Sequence, residues 1–393
     1  MGAAMANDAP NLEVLPALLR DLRGRDAEIL RLIEKFVNAE SPSLDKSAVD
    51  RFGKIVVAEW SRRGARVRRI RQKQRGDHLL VNAAPGTPRT RGQILLLGHL
   101  DTVYDLGTLE RMPYRVSGGR AWGPGIFDMK GGLVLALAAV DSLKRCKVEP
   151  RKNIVCLWTS DEEIGSESSR RIIEQEARRS DAVLVLEPAA EPAGALKTAR
   201  KGVGELEIRA IGRAAHSGLK PEEGINAVHE LAMQIARISR WDSLRRGTGV
   251  HVDVIHGGTR TNVIAAEAHA QVDLRASRAS EMRRIERQFR ALRPILPGAR
   301  LEIHGGFSRQ PLERKMSAAL FRQAQTLAAT VNWKLQEAAV GGGSDGNFTA
   351  AIGVPTLDGL GAVGAGAHST HEHIVIRELA RRAALLGALM ATL

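Results

Sequence analysis

From Asp26 to Val37 and again from Ser47 to Ser61, apolar residues recur at helical spacing, and Gly64 offers a stop after the second run. A hairpin is expected to follow these helices. Ile94–Leu97 is then wholly apolar, as a strand covered on both faces must be. Helical spacing returns over Leu133–Leu143, behind Gly131-Gly132, and over Ser166–Arg178. Asn153–Thr159 and Ala182–Leu186 supply two more apolar strands. Strands alternating with helices predict an α/β domain built on a mixed, mostly parallel sheet.

Beyond residue 200 the pattern changes. Glu205–Gly212 alternates apolar and polar residues, Ile225–Trp241 is helical, and Val250–His256 and Ala268–Leu274 alternate again. Ser280–Leu292 is helical and Arg300–His304 is a strand. The order β-α-β-β-α-β is that of a ferredoxin-like α+β unit with an antiparallel sheet. After Pro311 come a helix near Met316–Thr330, a short strand after Trp333, a helix near Asn347, the strand Val354–Leu357 and a last helix, Ile374–Leu393. A chain of 393 residues is long for one core. The expected organisation is an α/β domain formed by residues 1–200 and 313–393, with residues 201–312 inserted as a smaller domain.

Composition narrows the class. Hydrophobic content of 44% and charged content of 26% are those of a soluble globular protein. The formal net charge of +14 is scattered in pairs such as Arg62-Arg63, Arg68-Arg69 and Arg283-Arg284. With only 4% aromatic residues and no basic run interleaved with them, a solvated basic surface is the better reading than a nucleic-acid site. Cys146 and Cys156 make no disulfide framework, and Cys156 lies in an apolar run as a reduced core residue. The stretch Met1–Pro10 lacks a basic region followed by an apolar run, and no segment reaches membrane-spanning length. A cytoplasmic protein is expected.

Acids and histidines gather where the buried strands end. His99 and Asp101 follow the first, Asp128 stands between Gly123-Pro124-Gly125 and a helix start, Asp161-Glu162-Glu163 follows the second, and Glu187 follows the third. His368, His371 and Glu372 precede the last helix. In open α/β sheets ligands bind beyond the carboxyl ends of the strands. Singly, each residue has a plainer reading: Asp128 as a helix N-cap, Glu162-Glu163 as a solvated pair, His371 and His373 as surface residues at a helix start. Together, clustered carboxylates repel unless they share protons or bind cations. Imidazoles and carboxylates without a thiolate suit zinc, with cobalt or manganese as alternatives. A pair of ions needs a bridging carboxylate, for which Asp128 is the central candidate, and the remaining acid of the Glu-Glu pair can take a proton from water.

Two other motifs compete. Gly342-Gly343-Ser344-Asp345-Gly346 fits G-x-S-x-G, with Asp358 and His368 available as an acid and a base. That reading leaves His99, Asp128, Glu163 and Glu187 without a purpose. The same glycines match a dinucleotide fingerprint at 341–346, but no clear buried strand leads into it. A metal-binding relative without activity is a third reading, and the presence of Glu162 speaks against it.

GHLDTV, GPGIFDMKGG, DEEIGS, LEP, GRAAHSG, GGTRTNVI, GGGSDGNF and GAHSTHE stand in one order along most of the chain. In that order they resemble the dinuclear zinc peptidase and deacylase family that includes glutamate carboxypeptidase, acetylornithine deacetylase and succinyl-diaminopimelate desuccinylase, nearest the glutamate carboxypeptidase branch. The resemblance implies a two-zinc hydrolase acting on a small peptide or N-acyl amino acid with a free carboxylate. It implies His99 and Glu187 on one metal, Glu163 and His368 on the other, and Asp128 between them. It further implies Glu162 as general base and Asp101 as the acceptor for the far nitrogen of His99. The peptide bond after Asp128 is often cis in such proteins. The inserted domain would be a lid and homodimerisation domain, with His216 stabilising an oxyanion and Asn262, Arg275, Arg309 and Gly342 meeting substrate. A lysine used by some glutamate-specific members has no counterpart in register, Lys197 and Lys201 lying nearby.

Overall fold

The computed structural model describes residues 11–84 and 92–393; the stretch Met1–Pro10, read above for a leader, lies outside them. The chain divides into two units. One consists of the described residues up to Thr198 with Arg314–Ala339 and Ser344–Leu393, the other of Ala199–Glu313 with Val340–Gly343.

The first unit is built on a six-stranded sheet in the order Arg66–Ile70, His78–Ala84, Asn153–Thr159, Gln93–His99, Ala182–Val185, Thr356–Leu357. The first two strands run antiparallel to their neighbours. The other four are parallel. Successive side chains of a strand point to opposite faces, so the apolar runs feed two cores. Leu95, Leu97, Val155, Leu157, Val183 and Val185 join Ile173, Ala177 and Phe348. Ile94, Leu96, Cys156, Trp158 and Leu184 enter the larger core with the helices Gly131–Arg145 and Leu379–Thr392. Gly132 is dictated by packing: a Cβ there would stand 2.3 Å from the carbonyl oxygen of Leu186. Only glycine lets that helix begin against the segment carrying Glu187.

Several boundaries differ from the periodicity. Val14–Leu22 is a helix that the apolar pattern above did not single out. The helix expected from Ser166 starts at Arg170. The last helix starts at Leu379, because His373–Val375 is a strand between Arg120–Trp122 and Gly364–Ala365. Ile374 and Val375 are β-branched and fit a pleated surface better than a helical turn. His373 is consequently buried, its ring 4.5 Å from that of Trp122, rather than on the surface at a helix start.

The second unit carries a four-stranded antiparallel sheet in the order Thr248–Gly257, Glu267–Ala276, Gly202–Ile211, Arg300–Arg309. Leu206, Ile208, Val272 and Leu274 share one core with Leu231, Ile238, Ile285 and Phe289 of the helices Ala227–Ile238 and Ala279–Arg290. Among the described residues no helix is long and apolar enough to cross a membrane.

Candidate metal centre

Gln93–His99 lies between Asn153–Thr159 and Ala182–Val185, parallel to both. Their carboxyl ends therefore share one edge of the sheet. His99 closes the central strand, the turn Asp161–Glu163 follows one neighbour, and Glu187 follows the other. Asp128 arrives from the loop before Gly131–Arg145, and its peptide bond to Met129 is cis. His368 arrives from the loop before His373–Val375, at φ 61°, a left-handed conformation unusual outside glycine.

The five side chains converge. His99 Nε2 lies 3.2 Å from Asp128 Oδ1 and 3.6 Å from Glu187 Oε1. His368 Nε2 lies 3.6 Å from Asp128 Oδ2 and 3.2 Å from Glu163 Oε2. The Asp128 carboxylate thus turns one oxygen to each histidine. Ligand atoms of His99, Asp128 and Glu163 lie within 4.8 Å of one another, as do those of His99, Glu162 and Glu187. His368 rather than His371 reaches the carboxylates; His371 Nδ1 pairs with Ser369 Oγ at 3.1 Å.

Each segment is held by a buried polar group. His99 donates its backbone N–H to Met129 Sδ (3.3 Å), and its Nδ1 stands 2.9 Å from the backbone carbonyl of Asp101. The Asp101 carboxylate lies 3.6 Å from the same nitrogen. It accepts the N–H groups of Glu162 (3.3 Å) and Glu163 (3.2 Å) and the Ser43 hydroxyl (2.7 Å). Both the carbonyl and the carboxylate of Asp101 thus face the far nitrogen of His99, the carbonyl nearer, and the carboxylate also holds the Glu-Glu turn. Asp345 holds the other side of the turn, accepting the hydroxyls of Thr159 (3.0 Å) and Ser166. Glu372, named in the sequence only as an acid of the cluster before the last helix and given no role there, accepts the N–H groups of Gly125, Phe127 and Asp128 at 2.7–3.0 Å.

Charge follows this geometry. Burial opposes protonation of His99, yet the Asp101 and Asp128 carboxylates hold its pKa well above the ordinary value. His368 is raised to about 10 by Asp128 and Glu163. Burial works to raise Asp128, but His368 and His99 bring it far below the usual carboxylate range. Glu163 is raised, chiefly by burial, and burial likewise raises Glu372 to about 7. Glu163 Oε1 is buried without a hydrogen-bond partner among the described residues, a cost that a cation would remove. Two imidazoles, the carboxylates gathered around them and an orphaned carboxylate oxygen fit divalent metal ions.

Residues 95–392 match Peptidase family M20/M25/M40. The chain belongs to this family. It is similar to carboxypeptidase G2 of Pseudomonas sp. (strain RS-16), 29% identical over all of this chain and 94% of that protein. It is 30% identical to succinyl-diaminopimelate desuccinylase of Verminephrobacter eiseniae, over 73% of this chain and 75% of that one. Among solved structures, aminopeptidase PepT of Bacillus cereus shares the fold, with a TM-score of 0.77 at 20% identity over 93% of this chain and 98% of that one. The chain is a metal-dependent hydrolase of the peptidase and amidohydrolase type.

The M20 chain's remaining predicted residues lie in its second unit. His216 and Asn262 are brought side by side: His216 bridges Val263, and Ser217 donates its N–H to the Asn262 carbonyl at 3.0 Å. Arg275 sits on Glu267–Ala276, forked onto Asp273 at 2.7 and 2.9 Å. Arg309 ends the edge strand Arg300–Arg309, and the Gly342 carbonyl accepts from Arg200 at 3.2 Å. In the first unit, Ser344 is fully buried and donates its hydroxyl to Asp358 at 2.6 Å. Its Oγ also accepts the Gly346 N–H. A serine so engaged knits the turn together and is poorly placed to act as a nucleophile.

Proposed function

We propose that this M20 peptidase hydrolyses the amide bond of a small peptide or N-acyl amino acid with a free C-terminal carboxylate, using two divalent ions, zinc first among them. One observation carries the reading: Asp128 turns one carboxylate oxygen to His99 and the other to His368. His99 and Glu187 would hold one ion, Glu163 and His368 the other, with Asp128 shared. Bound there, the ions supply Lewis-acid polarisation of the scissile carbonyl and a water of lowered pKa. Glu162, within 4.8 Å of the His99 and Glu187 ligand atoms, takes the proton of the attacking water and delivers it to the leaving nitrogen. Asp101 keeps the Glu162-Glu163 turn in place. The names carboxypeptidase and desuccinylase of the similar proteins support amide cleavage beside a carboxylate.

The second unit serves as lid and homodimerisation domain. His216 stabilises the oxyanion, Arg309 forks onto the substrate carboxylate, Asn262 and Arg275 orient the substrate, and Gly342 lets it approach the backbone. Thr248–Gly257 is an edge strand with Val254 and Ile255 38% and 52% exposed, which supports pairing with a second copy. The unpaired Cys146 and Cys156 suit a reducing, cytoplasmic setting.

Hydrolysis of a panel of dipeptides and N-acyl amino acids, measured before chelation, after it and after zinc is restored, tests the reading. Activity that ignores chelators and is abolished by a serine-directed reagent would overturn it.

A further inference from the structure

Asp128 can serve two ions only if its position relative to both histidines is fixed. The His99 side needs little help, because His99 and Glu187 are anchored at or beside the ends of adjacent strands. Asp128 and His368 sit on loops, and His368 holds a left-handed backbone that surrounding contacts must sustain.

Glu372 ties these two loops together. It is fully buried. Its Oε1 accepts the N–H groups of Phe127 (2.7 Å) and Asp128 (2.9 Å). Its Oε2 accepts the Gly125 N–H (3.0 Å) and the Tyr104 hydroxyl (2.5 Å). The Tyr104 oxygen also lies 3.0 Å from the carbonyl of Ser369, the residue after His368. The backbones close the same link: Gly123 donates to the Glu372 carbonyl (3.3 Å), and Glu372 donates to the Ser369 carbonyl (3.2 Å). Hydrogen bonds to a carboxylate are about twice as strong as neutral ones. Four donors converging on one buried carboxylate leave the Asp128 loop little freedom.

We propose that Glu372, braced by Tyr104, is a positioning residue that sets the spacing of Asp128 and His368 and so governs how tightly the second metal ion is held. This rests on the two-metal reading above. Gln at this position keeps the shape but replaces one acceptor with an amide donor, which must face the Gly125 N–H or the N–H groups of Phe127 and Asp128.

The test is calorimetric titration of the metal-free chain, the E372Q variant and the Y104F variant with zinc, repeated with cobalt to follow each equivalent by its visible spectrum. Two equivalents are expected for the unaltered chain. E372Q should keep the first near its original affinity and weaken the second about 10- to 100-fold, with excess metal restoring kcat. Y104F should weaken the same step by a smaller factor. Loss of both equivalents in parallel with a fall in melting temperature would mark Glu372 as merely structural and overturn the proposal, as would two unaltered equivalents in E372Q. If E372Q fails to fold, Y104F decides, an unchanged second step being the overturning result. A single equivalent in the unaltered chain would instead remove the two-metal reading.

Discussion

His99 Nδ1 lies 2.9 Å from the backbone carbonyl oxygen of Asp101 and 3.6 Å from the same residue's carboxylate. One residue therefore acts twice: its backbone carbonyl makes the nearer contact to the imidazole, and its side chain, besides favouring the charged ring, holds the turn that presents Glu162 and Glu163.

Asp101→Ala should consequently leave the His99 ring oriented while releasing the Glu162-Glu163 turn. Loss of charge-assisted hydrogen bonds worth about 1.5–3 kcal/mol each predicts a fall in kcat of roughly 10- to 100-fold. Steady-state kinetics and metal analysis check this; unchanged kcat would mean that the turn holds itself.

Glu162→Gln should keep its metal content and lose about 10²- to 10⁴-fold in kcat, the range of a positioned general base. Normal turnover in this variant would assign the proton transfer to another group.

Asp128→Asn keeps the size of the side chain but leaves a single carboxamide oxygen for two histidine-lined positions. Elemental analysis should find one metal equivalent or fewer per chain, with activity lost. Two equivalents and retained activity would show that Asp128 does not bridge.

Ser344→Ala should hydrolyse substrate with kcat near that of the unaltered chain. Its stability should drop by about 1–3 kcal/mol, since Asp358 loses a buried donor. Complete inactivation of a folded Ser344→Ala protein would revive a serine mechanism.

Glu59 offers a pH test away from the site. Burial alone would raise its carboxyl, but Lys35 and Arg63 hold it below its ordinary value of 4.5. A lowered folded-state pKa gives stability that is present above the unfolded value and lost as pH falls through the folded one. Glu59→Gln should be the less stable protein at pH 7, and denaturant midpoints should converge as pH falls below about 4.5. A constant gap across that range would rule out the ion pairs as its source.

The sequence revealed most where physical periodicity is strict. Apolar strands covered on both faces identified the parallel core, and parallel neighbours must end on one edge. His99, Glu162, Glu163 and Glu187 were therefore readable as a group before any distance was known. The helix Val14–Leu22 was within reach too: Val14, Leu15, Leu18, Leu19 and Leu22 are all buried. Pro16 interrupts the visual pattern, yet it lies in the first turn, where no backbone N–H needs a partner. Glu372 left a weaker trace, an acid shortly after His368, while the complementary loop at Gly125–Asp128 needs an acceptor for its N–H groups.

Loops were another matter. Periodicity assigns a face to a side chain but says nothing about the path of a segment that has no period. That His368 rather than His371 meets Asp128 depends on a left-handed backbone turn. That the Asp101 carbonyl stands nearer to His99 than its carboxylate, and that the carboxylate also holds Glu162 and Glu163, depends on sub-ångström differences within one residue. Residue types and their order established which chemistry this chain can support. The folded backbone chose which oxygen faces which nitrogen, because hydrogen-bonding strength falls away over distances much shorter than one residue.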